Sequence, residues 1–171
     1  MRVHSLTQAQ AGNMSAIIAI TALLGAPLGG FIADSWAKTQ PYAKIYVSAI
    51  VTVSAGIFLV LALLFTNIYW VYIWFALFGM STVAFLGPAT AIIQEVVQPG
   101  MRTIAFSINV IAINILGAFC MIMLVGYISD IYGIQTSLII ISLFAFVASF
   151  LFLLSKRVYY NDKRQVNALA L

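Results

Sequence analysis

Gly30-Phe31-Ile32-Ala33-Asp34 and Gly126-Tyr127-Ile128-Ser129-Asp130 are two copies of one phrase: glycine, aromatic, isoleucine, small residue, aspartate. Each copy closes a long apolar run. Lysines follow the first copy but not the second, so the two aspartates belong on opposite sides of a bilayer. The pair marks the ends of two membrane-length helices, a pattern expected of a transporter built from inverted repeats.

Composition supports that reading before any other motif is considered. Hydrophobic residues make up 64% of the 171 and charged residues 7%, whereas about a quarter of the residues in a soluble domain carry charge. The chain is therefore expected to be an all-α integral membrane protein whose first partner is the lipid bilayer. Its net charge of +4 comes from residues in gaps and tails, so it reports orientation and not a nucleic-acid partner. Cys120 is the only cysteine and lies inside an apolar run, which leaves the redox compartment unspecified.

A span needs about 20 mostly apolar residues at about 1.5 Å rise to cross the roughly 30 Å hydrocarbon layer. Five segments meet this length: 13–33, 45–65, 68–93, 104–128 and 134–154, with a basic tail over 155–171. They are expected to be helices, because an open sheet would leave unpaired edges in lipid and a barrel would alternate apolar with polar residues. Basic residues fall at alternate gaps: Lys38 and Lys44 in the first, Arg102 in the third, and Lys156, Arg157, Lys163 and Arg164 in the tail. Seven lie on one face and only Arg2 on the other, which predicts a cytoplasmic C-terminus and an external N-terminus. An external start on an odd number of helices predicts a preceding helix, and so a chain that is the C-terminal portion of a longer protein. No removable signal peptide is expected at Met1.

Breakers and polar residues divide the spans. Pro27 and Pro88 each remove a backbone donor and should bend the first and third helices, which therefore should face protein or a water-filled cavity. Gly25 and Gly29, extended by Ala26 and Gly30, form a small-xxx-small stripe that permits close helix approach. The third span carries Ser81, Thr82, Thr90 and Gln94, and the fourth Ser107, Asn109 and Asn114. The second and fifth carry isolated hydroxyls (Ser48, Thr52, Ser54, Ser142, Ser149) that can bond back to their own helix. Two helices, the second and fifth, thus read as outer and lipid-facing, and three as inner. Asn109 and Asn114 need partners at membrane depth, either a neighbouring helix or a substrate.

Motifs for chemistry are few. The chain has no HExxH, no paired cysteines and no phosphate-binding glycine loop, and its only histidine is His4. No enzyme activity, cofactor or metal site is expected. Asp34, Glu95 and Asp130 sit at helix ends, so no carboxylate occupies the middle of a span.

The stretch Gly29-Gly30-Phe31-Ile32-Ala33-Asp34-Ser35-Trp36-Ala37-Lys38 resembles the loop signature of the major facilitator superfamily. The stretch from Leu86-Gly87-Pro88-Ala89 through Gln94-Glu95 and Pro99-Gly100-Met101-Arg102 to Ala105 is similar to the link between the tenth and eleventh helices of spinster-like and related facilitators. Asn114-Ile115-Leu116-Gly117 and the second phrase continue the match. The resemblance implies helices eight to twelve of a twelve-helix transporter, with the ninth and twelfth peripheral. It also implies gating roles for Gly30, Asp34, Lys38, Glu95, Arg102 and Asp130. Departures exist: Ser35 stands where the family usually has arginine, Ala37 where it has glycine, and Met121-Ile122 where it has Gly-Pro. The last should leave the fourth span straighter.

Combined, these readings predict transport of a small-molecule substrate by alternating access in a plasma or inner membrane, completed by a missing N-terminal half. Ser81, Thr90, Asn109 and Asn114 are the candidate cavity residues. Asp34 is expected to accept from a neighbouring helix N-terminus, and Arg102 to pair with Glu95 across the Pro99-Gly100 turn. The alternative is a small non-transporting scaffold or assembly protein that uses the Gly25/Gly29 face.

Overall fold

A computed structural model describes residues 8–169, so Arg2, His4 and the first residues of the facilitator-like stretch lie outside the described residues. The described residues form five membrane-length spans. The first is α1 (Gln8–Ala37) and the second α2 (Ala43–Leu64). The third is divided into α3 (Ile68–Ala84) and α4 (Leu86–Val96). After a 3-10 turn at Pro99–Met101, the fourth comprises α5 (Arg102–Ala112), a π-helical stretch at Ile113–Phe119 and α6 (Cys120–Tyr132). The fifth, α7 (Ile134–Leu169), continues without a break through the segment expected to be a tail. The spans thus match the apolar runs, and the fifth extends about four turns past its run.

The main contact is between α1 and α3, which lie side by side and run in the same direction. A Cβ on Gly25 would overlap the carbonyl oxygen of Met80, and one on Gly29 that of Ala84. Only glycine permits this separation. Pro88, at the third position of α4, has no N–H to offer Ala84, and the helix breaks at Phe85. The Ala84 oxygen that Pro88 leaves free is the one against Gly29, so proline and glycine stripe serve one contact. Gly30 is different: a Cβ there would meet nothing within 4 Å, as is also true of Gly126 in the second phrase.

Around this pair, α2 packs on α3 and α7 and touches α1, while α6 lies along α7. Five alternating spans place Asp34 at one end of the bundle and Asp130 at the other, where Gln135 Nε2 donates to Leu63 O at 3.3 Å. That far end carries an aromatic ladder of Phe58, Phe65, Trp70 and Trp74, with Phe58 and Trp74 stacked at 5.8 Å. Asn67 opens α3 there by accepting from Tyr69 N at 3.0 Å.

The structure refines three expectations. The second span keeps an outer face at Ile50, Ile57 and Leu64, yet α2 also buries residues along its length from Ala43 to Leu63, whereas no residue of α5, the π stretch or α6 is buried. The reason is geometric, since α2 has helices on three sides and the fourth span touches mainly α4 and α7. The fourth span is not regular throughout: Met121-Ile122 lie in ordinary α-helix, but the seven residues just upstream, Ile113–Phe119, adopt i→i+5 bonding. Finally, the hydroxyls of the second and fifth spans do bond back at Thr52, Ser54 and Ser142, but Ser48 Oγ is buried with no partner.

Gly29→Leu should force α1 from α3 and lower unfolding stability in micelles by about 2 kcal/mol. Gly126→Ala, with open space at its Cβ, should be neutral or raise stability by up to about 1 kcal/mol, as helix propensity dictates. Thermal unfolding followed by circular dichroism checks both.

Candidate functional site

The structured polar site is at the basic end, where the Glu95 carboxylate is shared by three helices. Glu95 lies on the last turn of α4. Lys44, on the first turn of α2, donates from Nζ to Glu95 Oε1 at 2.5 Å. Lys163 of α7 reaches Oε2 at 2.6 Å, and Tyr159, one turn earlier, donates its hydroxyl to the same oxygen. Lys163 also donates to Tyr159 Oη at 3.1 Å. The Tyr159–Lys163 spacing of four residues puts both groups on one face of α7.

Lys44 connects this carboxylate to a second one. Its Nζ lies 3.5 Å from Asp34 at the end of α1. Asp34 remains 71% exposed, against 26% for Glu95, so the Glu95 contacts are the better shielded and the stronger of the two. Among the described residues Asp34 is held by this side chain and not by backbone N–H groups of a neighbouring helix. Nearby, Lys156 donates to Tyr46 Oη at 2.8 Å and lies over the rings of Tyr42 and Tyr46, at 4.7 and 5.3 Å from their centroids.

The expected partner of Glu95 is absent from the cluster. Arg102 is exposed and forms no ion pair among the described residues. The 3-10 turn at Pro99–Met101 separates it from Glu95, while Lys44 and Lys163 take both carboxylate oxygens. Lys38 and Asp130 are exposed and likewise outside any ion pair among the described residues. Sequence reading used Lys163 only as an orientation mark and passed over Tyr159. The available signal was the Lys156, Tyr159, Lys163 spacing, which repeats on one helical face just past the apolar run.

The four candidate cavity residues occupy three places. Thr90 and Asn109 share a cavity of about 470 Å³ between α4, α5 and α7, lined otherwise by apolar residues such as Leu86, Ile93, Ile113 and Phe152, with Ser155 near one wall. Thr90 Oγ1 is already committed to Leu86 O at 2.9 Å and Gly87 O at 2.8 Å. Ser81 faces a separate pocket between α2, α3 and α7 and accepts from Ser54 Oγ at 3.3 Å. Asn114 is exposed on the π stretch and donates to Val110 O at 2.8 Å. The structure therefore brings together Thr90 with Asn109, and Asp34 with Glu95 through Lys44; it leaves Ser81 and Asn114 apart from either group.

Comparison with known families supplies the deciding observation: the profile of the Major Facilitator Superfamily matches residues 1–169. The chain belongs to the Major Facilitator Superfamily. No curated protein and no solved structure matches it. As a facilitator it is an integral, multi-pass membrane protein of a family whose work is transmembrane transport.

Glu95→Ala strips Lys44, Tyr159 and Lys163 of a shared acceptor and should cost about 2 kcal/mol. Arg102→Ala, at an exposed position with no ion pair, should stay within about 0.5 kcal/mol of the parent. Denaturant unfolding in micelles reads both differences.

Proposed function

We propose that this facilitator chain is the C-terminal portion of a twelve-helix, spinster-like transporter, corresponding to helices eight to twelve, which moves a small molecule by alternating access. The observation that carries the reading is the contrast between the third and fourth spans at the basic end. Glu95 ties α4 to α2 and α7, whereas the fourth span is outside that clasp, has no buried residue and contains a π stretch. A clasped group of helices beside one with an irregular turn is a suitable arrangement for rocking about a central cavity.

In this reading the basic end is cytoplasmic, in keeping with the seven basic residues on that face. The exposed face of the fourth span, with Leu116, Phe119 and Ile122 among its most exposed residues, is completed by the missing N-terminal half. Asn109 and Asn114 then face the aqueous pathway. The clasp at Glu95, with Asp34 linked through Lys44, closes one side of the cycle and must loosen when the pathway opens there.

Accessibility tests the pathway directly. Cys120 is exposed, so it is first replaced by serine, and single cysteines are placed at Asn109, Asn114, Phe58 and Phe146. In membranes the two former positions should react with a water-soluble thiol reagent and the two latter should not. Equal protection at all four would overturn the assignment of the fourth span to the pathway.

A further inference from the structure

Lys156 differs from Lys44 and Lys163 in having no carboxylate partner among the described residues. Its ammonium is held by the Tyr46 hydroxyl at 2.8 Å and by the faces of two tyrosine rings. Among the described residues no carboxylate lies within ion-pair distance of it, because Asp34 and Glu95 are engaged by Lys44 and Lys163. Arg157, the next residue, is exposed. Two adjacent positive charges, Lys156 against the tyrosines and Arg157 exposed, therefore stand at the point where α7 leaves its apolar run.

Directly beside this pair a groove opens between α2 and α7. It has a volume of about 350 Å³ and is walled mainly by Ala49, Ile50, Val53, Ile57 and Leu153, with the serines Ser54 and Ser149 between them and Tyr46 at its basic end. It faces away from the bundle: Ile50 is 59% exposed, Ile57 41% and Leu153 44%. From Tyr46 to Ile57 the α2 wall extends about 16 Å at about 1.5 Å per residue. Half of the roughly 30 Å hydrocarbon layer is about 15 Å. The groove is thus as long as one leaflet is deep, mostly apolar, and has at its mouth the tyrosine that holds Lys156.

We propose that the α2–α7 groove is a binding site for an anionic glycerophospholipid of the leaflet at the basic end. An acyl chain lies along Ile50, Val53, Ile57 and Leu153. The phosphate accepts from Lys156 Nζ and the Tyr46 hydroxyl, with Arg157 as a second cation. The lipid supplies the negative charge that Lys156 lacks within the protein, and a neutral zwitterionic head group, whose own ammonium would meet Lys156 and Arg157, binds less well.

The test uses the full chain in detergent micelles, titrated separately with dioleoyl phosphatidylglycerol and dioleoyl phosphatidylcholine, with bound lipid counted by native mass spectrometry. The parent should retain the anionic lipid about fivefold better, the expected effect of one well-placed cation at a membrane surface. Lys156→Gln should abolish that preference and Lys156→Arg should keep it. Val53→Trp, which fills the groove, should lower retention of both lipids. Arg164→Gln should change nothing, since Arg164 lies over the Tyr160 ring away from the groove. Equal retention of the two lipids by the parent overturns the proposal. So does a loss in Arg164→Gln as large as in Lys156→Gln, which indicates diffuse attraction to a basic surface. If Lys156→Gln does not fold, Val53→Trp decides, and undiminished retention by that variant overturns the site.

Discussion

Lipid offers apolar side chains nothing to escape from, so helices within it must be held by close backbone approach and by polar contacts that lipid cannot replace. In this facilitator the close approach is the Gly25/Gly29 stripe of α1 against the carbonyls of Met80 and Ala84. The second span and α4 are arranged around that contact. It fixes the α1–α3 pair, and α2 packs on α3 and touches α1 as well. Pro88 belongs to the same device, because the oxygen it leaves without a donor is the one Gly29 shelters. Two breakers that each weaken a helix in isolation thus meet in a single interface.

Polar contacts complete the assembly at its ends, where they cost least. Glu95 accepts from three side chains on two other helices, which satisfies its oxygens without placing a bare charge in hydrocarbon. The hydroxyls within the spans mostly return to carbonyls of their own helix, as at Thr52, Thr82 and Thr90. Such bonds make a threonine tolerable at depth, but they also remove its hydroxyl from the set available to a solute. In the cavity between α4, α5 and α7 this leaves Asn109 as the polar group without a hydrogen bond to its own helix among those lining residues.

The spans were legible because apolar length and alternating charge are properties of the chain itself, and the Gly25/Gly29 stripe because helical spacing puts both residues on one face. The partners of Glu95 were not. Arg102 is near in sequence, but the Pro99–Met101 turn carries it away, and the cation that arrives instead is 68 residues distant in sequence. Long-range pairings depend on which helix packs against which, and hydropathy carries no such information. The π stretch was illegible for a related reason. Ile113–Phe119 holds Gly117, a weak helix former, but a lone glycine inside an apolar run does not specify a change in hydrogen bonding. Ser81 and Thr90 share one polar span, but at about two and a half helical turns apart they fall on opposite faces and meet different neighbours.

The length of α7 has a mechanical consequence. Its 36 residues measure about 54 Å at about 1.5 Å per residue, nearly twice the roughly 30 Å hydrocarbon layer. A rigid rod of that length is a lever arm, and a tilt of about 10° at one end sweeps the other by about 9 Å. Lys163 lies near the outer tip of the rod and is fastened to Glu95. Because α2 packs on α7, a change in the angle between these two helices is magnified at the tip, where it sets the distance over which the Lys163–Glu95 fastening holds.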